Sequence, residues 1–233
     1  MSISYPQTGR LRRATAPPTW PLSPAACFAR KLVQRPGLDL LDLLVPTRVY
    51  GLERLDGMAG PALFAANHTS HLDSPVILRA LPSGLRERMT IAAAADYFFR
   101  SPLLGGFVAL ALNAFPFNRE GSAHRALEHC EELLDAGWSV LMYPEGTRTT
   151  TGEIGRFRPG AGLVAVQTGV PVVPVYVGGL FGVMPKGRAL PRRGKASVTF
   201  GEPLHFEVGT RPAEATAAME AAVRGLVCEG EER

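Results

Sequence analysis

After Thr47 the chain alternates short β-like apolar runs with helix-like segments, and that order leaves few architectures open. TRVYGLE, PALFAAN, MTIAAAA, AFPF, SVLMYP, PVVPVYV and ASVTF are short, apolar or β-branched, and bounded by turn-forming residues, so they read as strands. Helical segments are expected at 74–81, at about 102–112, in SAHRALEHCEELLDAG, at 160–168 and at 213–227. In the third of these Leu127, Cys130, Leu133 and Leu134 share one face, the clearest amphipathic pattern in the chain. Strands separated by helices cannot close as hairpins. They predict an α/β layered domain with a largely parallel central sheet flanked by helices.

The first residues obey a different pattern. Positions 1–25 hold five prolines and three arginines with little apolar periodicity, and read as a flexible or extended arm. Residues 26–46 read as a short N-terminal helical segment, two helices broken at Pro36-Gly37. Its basic and apolar character suits membrane contact, whereas Asp39 and Asp42 suit packing on the main sheet. The main domain is then expected over 47–228, with a tail at 229–233. The uncharged stretches 101–118 and 159–185 are each interrupted by proline and glycine, so they read as buried elements rather than spanning helices. The start shows no apolar run of signal-peptide type, so export is not expected and any membrane contact should be peripheral, on the cytoplasmic side.

Composition narrows the function classes. With 46% apolar and 20% charged residues among 233, the chain is globular in character. Cys27, Cys130 and Cys228 are far apart and form no Cys-x-x-Cys pair, which argues against a disulfide framework or a thiolate zinc site. The net charge is +4, and the basic residues cluster. Arg10, Arg12, Arg13, Arg30, Lys31 and Arg35 precede the first acid, while Lys186, Arg188, Arg192, Arg193 and Lys195 form an acid-free group. Either group could face an anionic membrane surface or phosphates, or be a solvated segment. Nucleic acid is not expected as a partner, because no recognised module is present and the second cluster contains no aromatic residue.

Two clusters can carry chemistry. Asn67-His68-Thr69-Ser70-His71-Leu72-Asp73 follows the PALFAA run and precedes a helix for which Ser74 and Pro75 are suitable cap and first residue. On a regular helix His68 and Asp73 would stand about 140° apart, so they meet only if His68 lies on the turn before it. A carboxylate on one imidazole nitrogen fixes the tautomer and prepares the other as a general base toward a hydroxyl. Alone, such a pair also fits a structural turn or, with His71, a metal site, although no remote Cys or His motif completes one. Tyr143-Pro144-Glu145-Gly146-Thr147-Arg148 follows another strand and combines a permissive backbone with a guanidinium suited to phosphate. Arg119 ends AFPFNR just past a third strand and could share that phosphate.

In this order, NHTSHLD, AFPFNR, YPEGTR and VPVVPV resemble the four sequence blocks of the glycerolipid acyltransferases, specifically the 1-acyl-sn-glycerol-3-phosphate acyltransferase family, over about residues 50–205. The resemblance implies an acyltransferase-like fold. It implies that His68, held by Asp73, deprotonates a lysolipid hydroxyl that attacks the thioester of acyl-CoA or acyl carrier protein, with no cofactor and no metal. Lysophosphatidic acid would be the acceptor and phosphatidic acid the product. Arg119, Glu145, Gly146, Thr147 and Arg148 would position the phosphate-bearing acceptor, and Asn67, Ser70 and Pro171 would support the site. The family usually has Gly where Asn113 stands, an acid at Asn118 and Phe at Tyr143, departures that bear on the acceptor. The alternatives are the same reaction on another lysolipid, including amino-acid-containing lipids, and a non-catalytic membrane-binding module.

Overall fold

A computed structural model describes residues 19–58, 60–117, 123–207 and 209–231. Seven strands form one sheet: β1 (Thr47–Tyr50), β2 (Leu63–Ala66), β3 (Met89–Ala94), β4 (Ala114–Phe117), β5 (Ser139–Met142), β6 (Val172–Gly178) and β7 (Ala196–Phe200). Their spatial order is β1-β7-β6-β2-β5-β3-β4. All pairings are parallel except β6 with β7, so the largely parallel α/β sheet expected from the strand-helix alternation is what forms. The reversal at β7 follows from its connection, a polar segment that returns the chain beside β6 without a crossover helix long enough to carry it back.

Nine α-helices lie among the described residues: α1 (Pro24–Leu44), α2 (Asp73–Ala80), α3 (Ser83–Glu87), α4 (Ala95–Phe98), α5 (Pro102–Leu112), α6 (Ala123–Asp135), α7 (Gly160–Thr168), α8 (Leu180–Val183) and α9 (Pro212–Glu231). Alternating side chains of the central strands feed two cores. Phe64, Ala66 and Leu141 pack on one face with Val76, Ile77 and Leu38, while Leu63, Ala65, Val140 and Met142 pack on the other with Leu133, Val164 and Met219. That two-sided burial explains why β2 and β5 read as continuous apolar runs, since each large side chain contributes about 1.5–3 kcal/mol from its own face.

Two local expectations change. The segment expected as two helices broken at Pro36-Gly37 is the single 21-residue helix α1, with Pro36 inside it. Tertiary anchors on both sides of the proline override its lost N–H. Arg30 is buried and donates from Nε to the Leu110 carbonyl (2.8 Å) and from Nη2 to that of Pro21 (2.6 Å), Gln34 donates to Ala111, and Leu38 is buried beyond the proline. The helix expected to be capped by Ser74, with Pro75 as its first residue, begins two residues earlier, at Asp73, with Leu72 at the cap position. Pro174 is tolerated in a central strand because its carbonyl takes the N–H of Gly201, beyond the end of β7, so its missing donor falls where the ladder has stopped.

Candidate active site

The carboxyl ends of β2, β3 and β5 point to one edge of the sheet, where open parallel sheets bind ligands. Asn67, the residue after β2, is buried and uses its side chain as a piece of backbone. Its Nδ2 donates to the Val177 carbonyl (3.0 Å) and its Oδ1 accepts the Val177 N–H (2.7 Å). This carries the β2–β6 pairing past Ala66 and fixes where His68 leaves the sheet.

His68 and Asp73 meet. Nδ1 of His68 lies 2.8 Å from Oδ2 of Asp73, whose side chain is fully buried. The same oxygen accepts the backbone N–H groups of Thr69 (2.7 Å) and Ser70 (2.9 Å), and Oδ1 accepts the Thr69 hydroxyl at 3.0 Å. A carboxylate surrounded by donors requires Nδ1 of His68 to carry hydrogen, which leaves Nε2 with its lone pair. Ser70 completes the turn by accepting the N–H of Leu72 on its hydroxyl. His68 lines a cavity of about 980 Å³.

The YPEGTR segment holds the same histidine from the other side. Glu145 Oε1 accepts the His68 N–H at 2.7 Å, Oε2 accepts that of Gly155 at 2.8 Å, and the Thr149 N–H donates to the His68 carbonyl at 2.9 Å. Glu145, expected at the acceptor phosphate, is therefore buried and turned to backbone, outside the cavity wall. Burial raises its pKa, opposed by the two backbone donors. Tyr143 stacks on the His68 ring with centroids 4.0 Å apart and planes 18° from parallel, and its hydroxyl bonds Ser74 at 2.7 Å. Burial first, then the nearby Asp73, push the phenol well above its usual range, so it stays neutral. Two restraints thus act on one imidazole, one in its plane and one across its face.

Gly146 has a φ of +72°, a left-handed conformation that calls for glycine, and a Cβ there would stand 2.9 Å from Nε of Arg158, whose side chain would have to move aside. Gly146, Thr147 and Arg148 all line the cavity. The Arg148 guanidinium stands 5.8 Å over the Tyr97 ring, and the Thr147 hydroxyl accepts from Nζ of Lys186 at 3.3 Å. His71 stacks on Tyr97 with centroids 4.8 Å apart, and burial, with Arg148 nearby, lowers its pKa to about 4. It lines the cavity as a neutral ring.

Much of the cavity wall is apolar: Ile91, Val108, Ala114 and Met142 are buried, and Leu112 and Leu163 are half-buried beside them. Both uncharged stretches singled out in the sequence contribute to it. Pro171 is elsewhere: its carbonyl accepts the Leu63 N–H at the start of β2, the end of the strand opposite His68. The support expected of it comes instead from Val177. Asn113 adopts φ +53°, ψ 37° at the end of α5, a left-handed conformation that accounts for glycine being usual there, and donates to the Met89 carbonyl. Arg119 and Asn118 lie outside the described residues. Among the described residues no group of three or more His, Cys, Asp or Glu side chains could hold a metal ion.

The sequence does not single out Arg158 or Tyr97 and offers Ser74 only as a helix cap, yet all three line the cavity. The signal for Arg158 was its place beside the buried Phe157, two residues before the helix α7 opens at Gly160.

Comparison with known proteins places these features among relatives. Residues 46–178 match the acyltransferase family. The chain is 32% identical over 160 residues to a chloroplastic 1-acyl-sn-glycerol-3-phosphate acyltransferase of Arabidopsis thaliana, covering 67% of this chain and 43% of that one. It is 31% identical over 136 residues to a probable 1-acyl-sn-glycerol-3-phosphate acyltransferase of Mycoplasma genitalium, covering 58% and 50%. The chain thus spans half or less of these curated relatives. The crystal structure of the 1-acyl-sn-glycerophosphate acyltransferase PlsC from Thermotoga maritima superposes with a TM-score of 0.71 at 27% identity, over 90% of this chain and 83% of that one.

Proposed function

The chain belongs to the acyltransferase family, and on that premise we propose that it moves a fatty acyl group from the thioester of acyl-CoA or acyl carrier protein to the free hydroxyl of lysophosphatidic acid, giving phosphatidic acid. The observation that carries the reading is the His68–Asp73 pair opening on a cavity whose wall combines buried apolar side chains with exposed cations.

In this reading Nε2 of His68 takes the hydroxyl proton as the oxygen attacks the thioester carbonyl. Asp73 holds the imidazolium that forms. When the tetrahedral intermediate collapses, the C–S bond breaks and the proton passes from Nε2 to the departing thiolate. The step balances without a cofactor or a metal, and no acyl-enzyme is formed. Arg148 faces the acceptor phosphate, and the apolar part of the cavity takes an acyl chain.

Both substrates of this reading are amphiphiles, which favours reaction at a membrane surface. No helix among the described residues is long and apolar enough to cross one. Phe28, Leu32 and Leu43 on α1, with Leu103 and Phe107 on α5, expose large apolar side chains, Leu103 at 87% and Leu43 at 78%. These two helices pack together and support peripheral contact with the cytoplasmic face of a membrane. The test is product analysis in detergent micelles, with long-chain acyl-CoA and a panel of lysolipids. Preferential formation of phosphatidic acid is expected; preference for another lysolipid would overturn the acceptor assignment.

A further inference from the structure

The cavity carries more positive charge than one acceptor needs. Among the described residues its wall holds Arg148, Arg158, Lys186 and Arg188 against the single acid Asp96. A phosphomonoester carries about two negative charges at neutral pH at most. The cations also differ in what they touch. Arg148 is turned toward Tyr97 and His71. Arg158 packs on Gly146, and Lys186 donates to Thr147, the two residues before Arg148 in the same turn. Arg188 follows two residues later, its Nε held by the Leu190 carbonyl at 2.8 Å.

Arg158, Lys186 and Arg188 have no carboxylate partner among the described residues. Arg158 and Lys186 are exposed and Arg188 is half-exposed, so they mark the mouth, whereas Ile91, Val108 and Ala114 of the same wall are buried. A thioester donor has the same polarity. Its acyl chain must enter the apolar depth for the carbonyl to reach His68, and its carrier arm must then leave through the mouth.

We propose that Arg158, Lys186 and Arg188 form a second anion subsite, separate from Arg148, that holds the phosphate of the pantetheine arm bearing the acyl group. It rests on the acyl-transfer reading above. Coenzyme A and a carrier protein share this phosphopantetheine chemistry.

The test compares decanoyl-CoA, decanoyl carrier protein and S-decanoyl-pantetheine, which has no phosphate, as donors for the wild type, Arg158→Gln and the double variant Lys186→Ala/Arg188→Ala. The ratio of kcat/KM for a phosphate-bearing donor to that for S-decanoyl-pantetheine is expected to fall about tenfold in the double variant. A fall with decanoyl-CoA, with the carrier protein or with both upholds the subsite and names its source. An unchanged ratio overturns it, as does a rise in acceptor KM with the ratio fixed. Titration of the protein with free CoA separates this from the proposed reaction. Binding weakened by the same substitutions upholds the subsite even if no acyl group is transferred, and absence of CoA and carrier-protein binding in the wild type overturns it.

Discussion

Replacing Asp73 by asparagine removes a charge and keeps the shape, which makes it an informative substitution at this site. The carboxylate serves four donors: Nδ1 of His68, two backbone N–H groups and the Thr69 hydroxyl. In Asp73→Asn the amide oxygen can still face the first three, and the Thr69 hydroxyl can turn from donor to acceptor toward the new NH2. What is lost is charge assistance, about 1 kcal/mol for each of three bonds, so stability should fall by about 2–3 kcal/mol. A domain with about 5–15 kcal/mol of stability stays folded after such a loss. Catalysis should fall far more, by about 10²–10⁴ in kcat, because nothing then balances the imidazolium formed at His68. Asp73→Ala leaves the Thr69 and Ser70 N–H groups buried without a partner at about 1–3 kcal/mol each, and should unfold at lower urea than Asp73→Asn. Thiol release at saturating substrates and urea titration read the two effects separately. A kcat for Asp73→Asn close to wild type would refute the role given to the carboxylate, and an inverted order of unfolding midpoints would refute the hydrogen-bond accounting.

Three further outcomes are expected. Glu145→Ala deprives the His68 and Gly155 N–H groups of their acceptors and should cost about 2–4 kcal/mol in urea unfolding, together with kcat, because the backbone of His68 is released. Arg148→Ala should raise the KM for a phosphate-bearing lysolipid by about tenfold or more with a smaller change in kcat, read from initial rates at varied acceptor. His71 takes up its proton near 4 when folded and near 6.5 when unfolded, so the unfolded chain binds more protons between those values. Stability should therefore fall as pH drops through that window, and His71→Phe should flatten the dependence of the urea midpoint on pH.

Much of the fold is legible in the sequence because both sides of β2 and β5 are buried, which leaves uninterrupted apolar runs, and because Cys130, Leu133 and Leu134 of α6 repeat at helical spacing. The continuity of α1 is not legible, since the contacts that carry the helix through Pro36 come from Leu110 and Ala111, far along the chain. The reversed direction of β7 is equally a matter of tertiary pairing. At the site, the side-chain types of NHTSHLD and YPEGTR point to a base and an anion, but residue type does not say which way a carboxylate turns. Glu145 reads as a substrate contact and is a brace, because its two oxygens find backbone donors from separate loops within reach. Pro171 reads as site support from its neighbours in sequence, yet four residues of strand carry it to the far end of the sheet.

Whether His68 is the base is decided by comparing His68→Ala with the wild type in thiol release from a long-chain acyl-CoA with lysophosphatidic acid, beside circular dichroism and urea unfolding of both. Loss of all but about 1% of kcat, with the spectrum kept, is the expected result. Wild-type kcat in the folded variant would exclude His68 as the base.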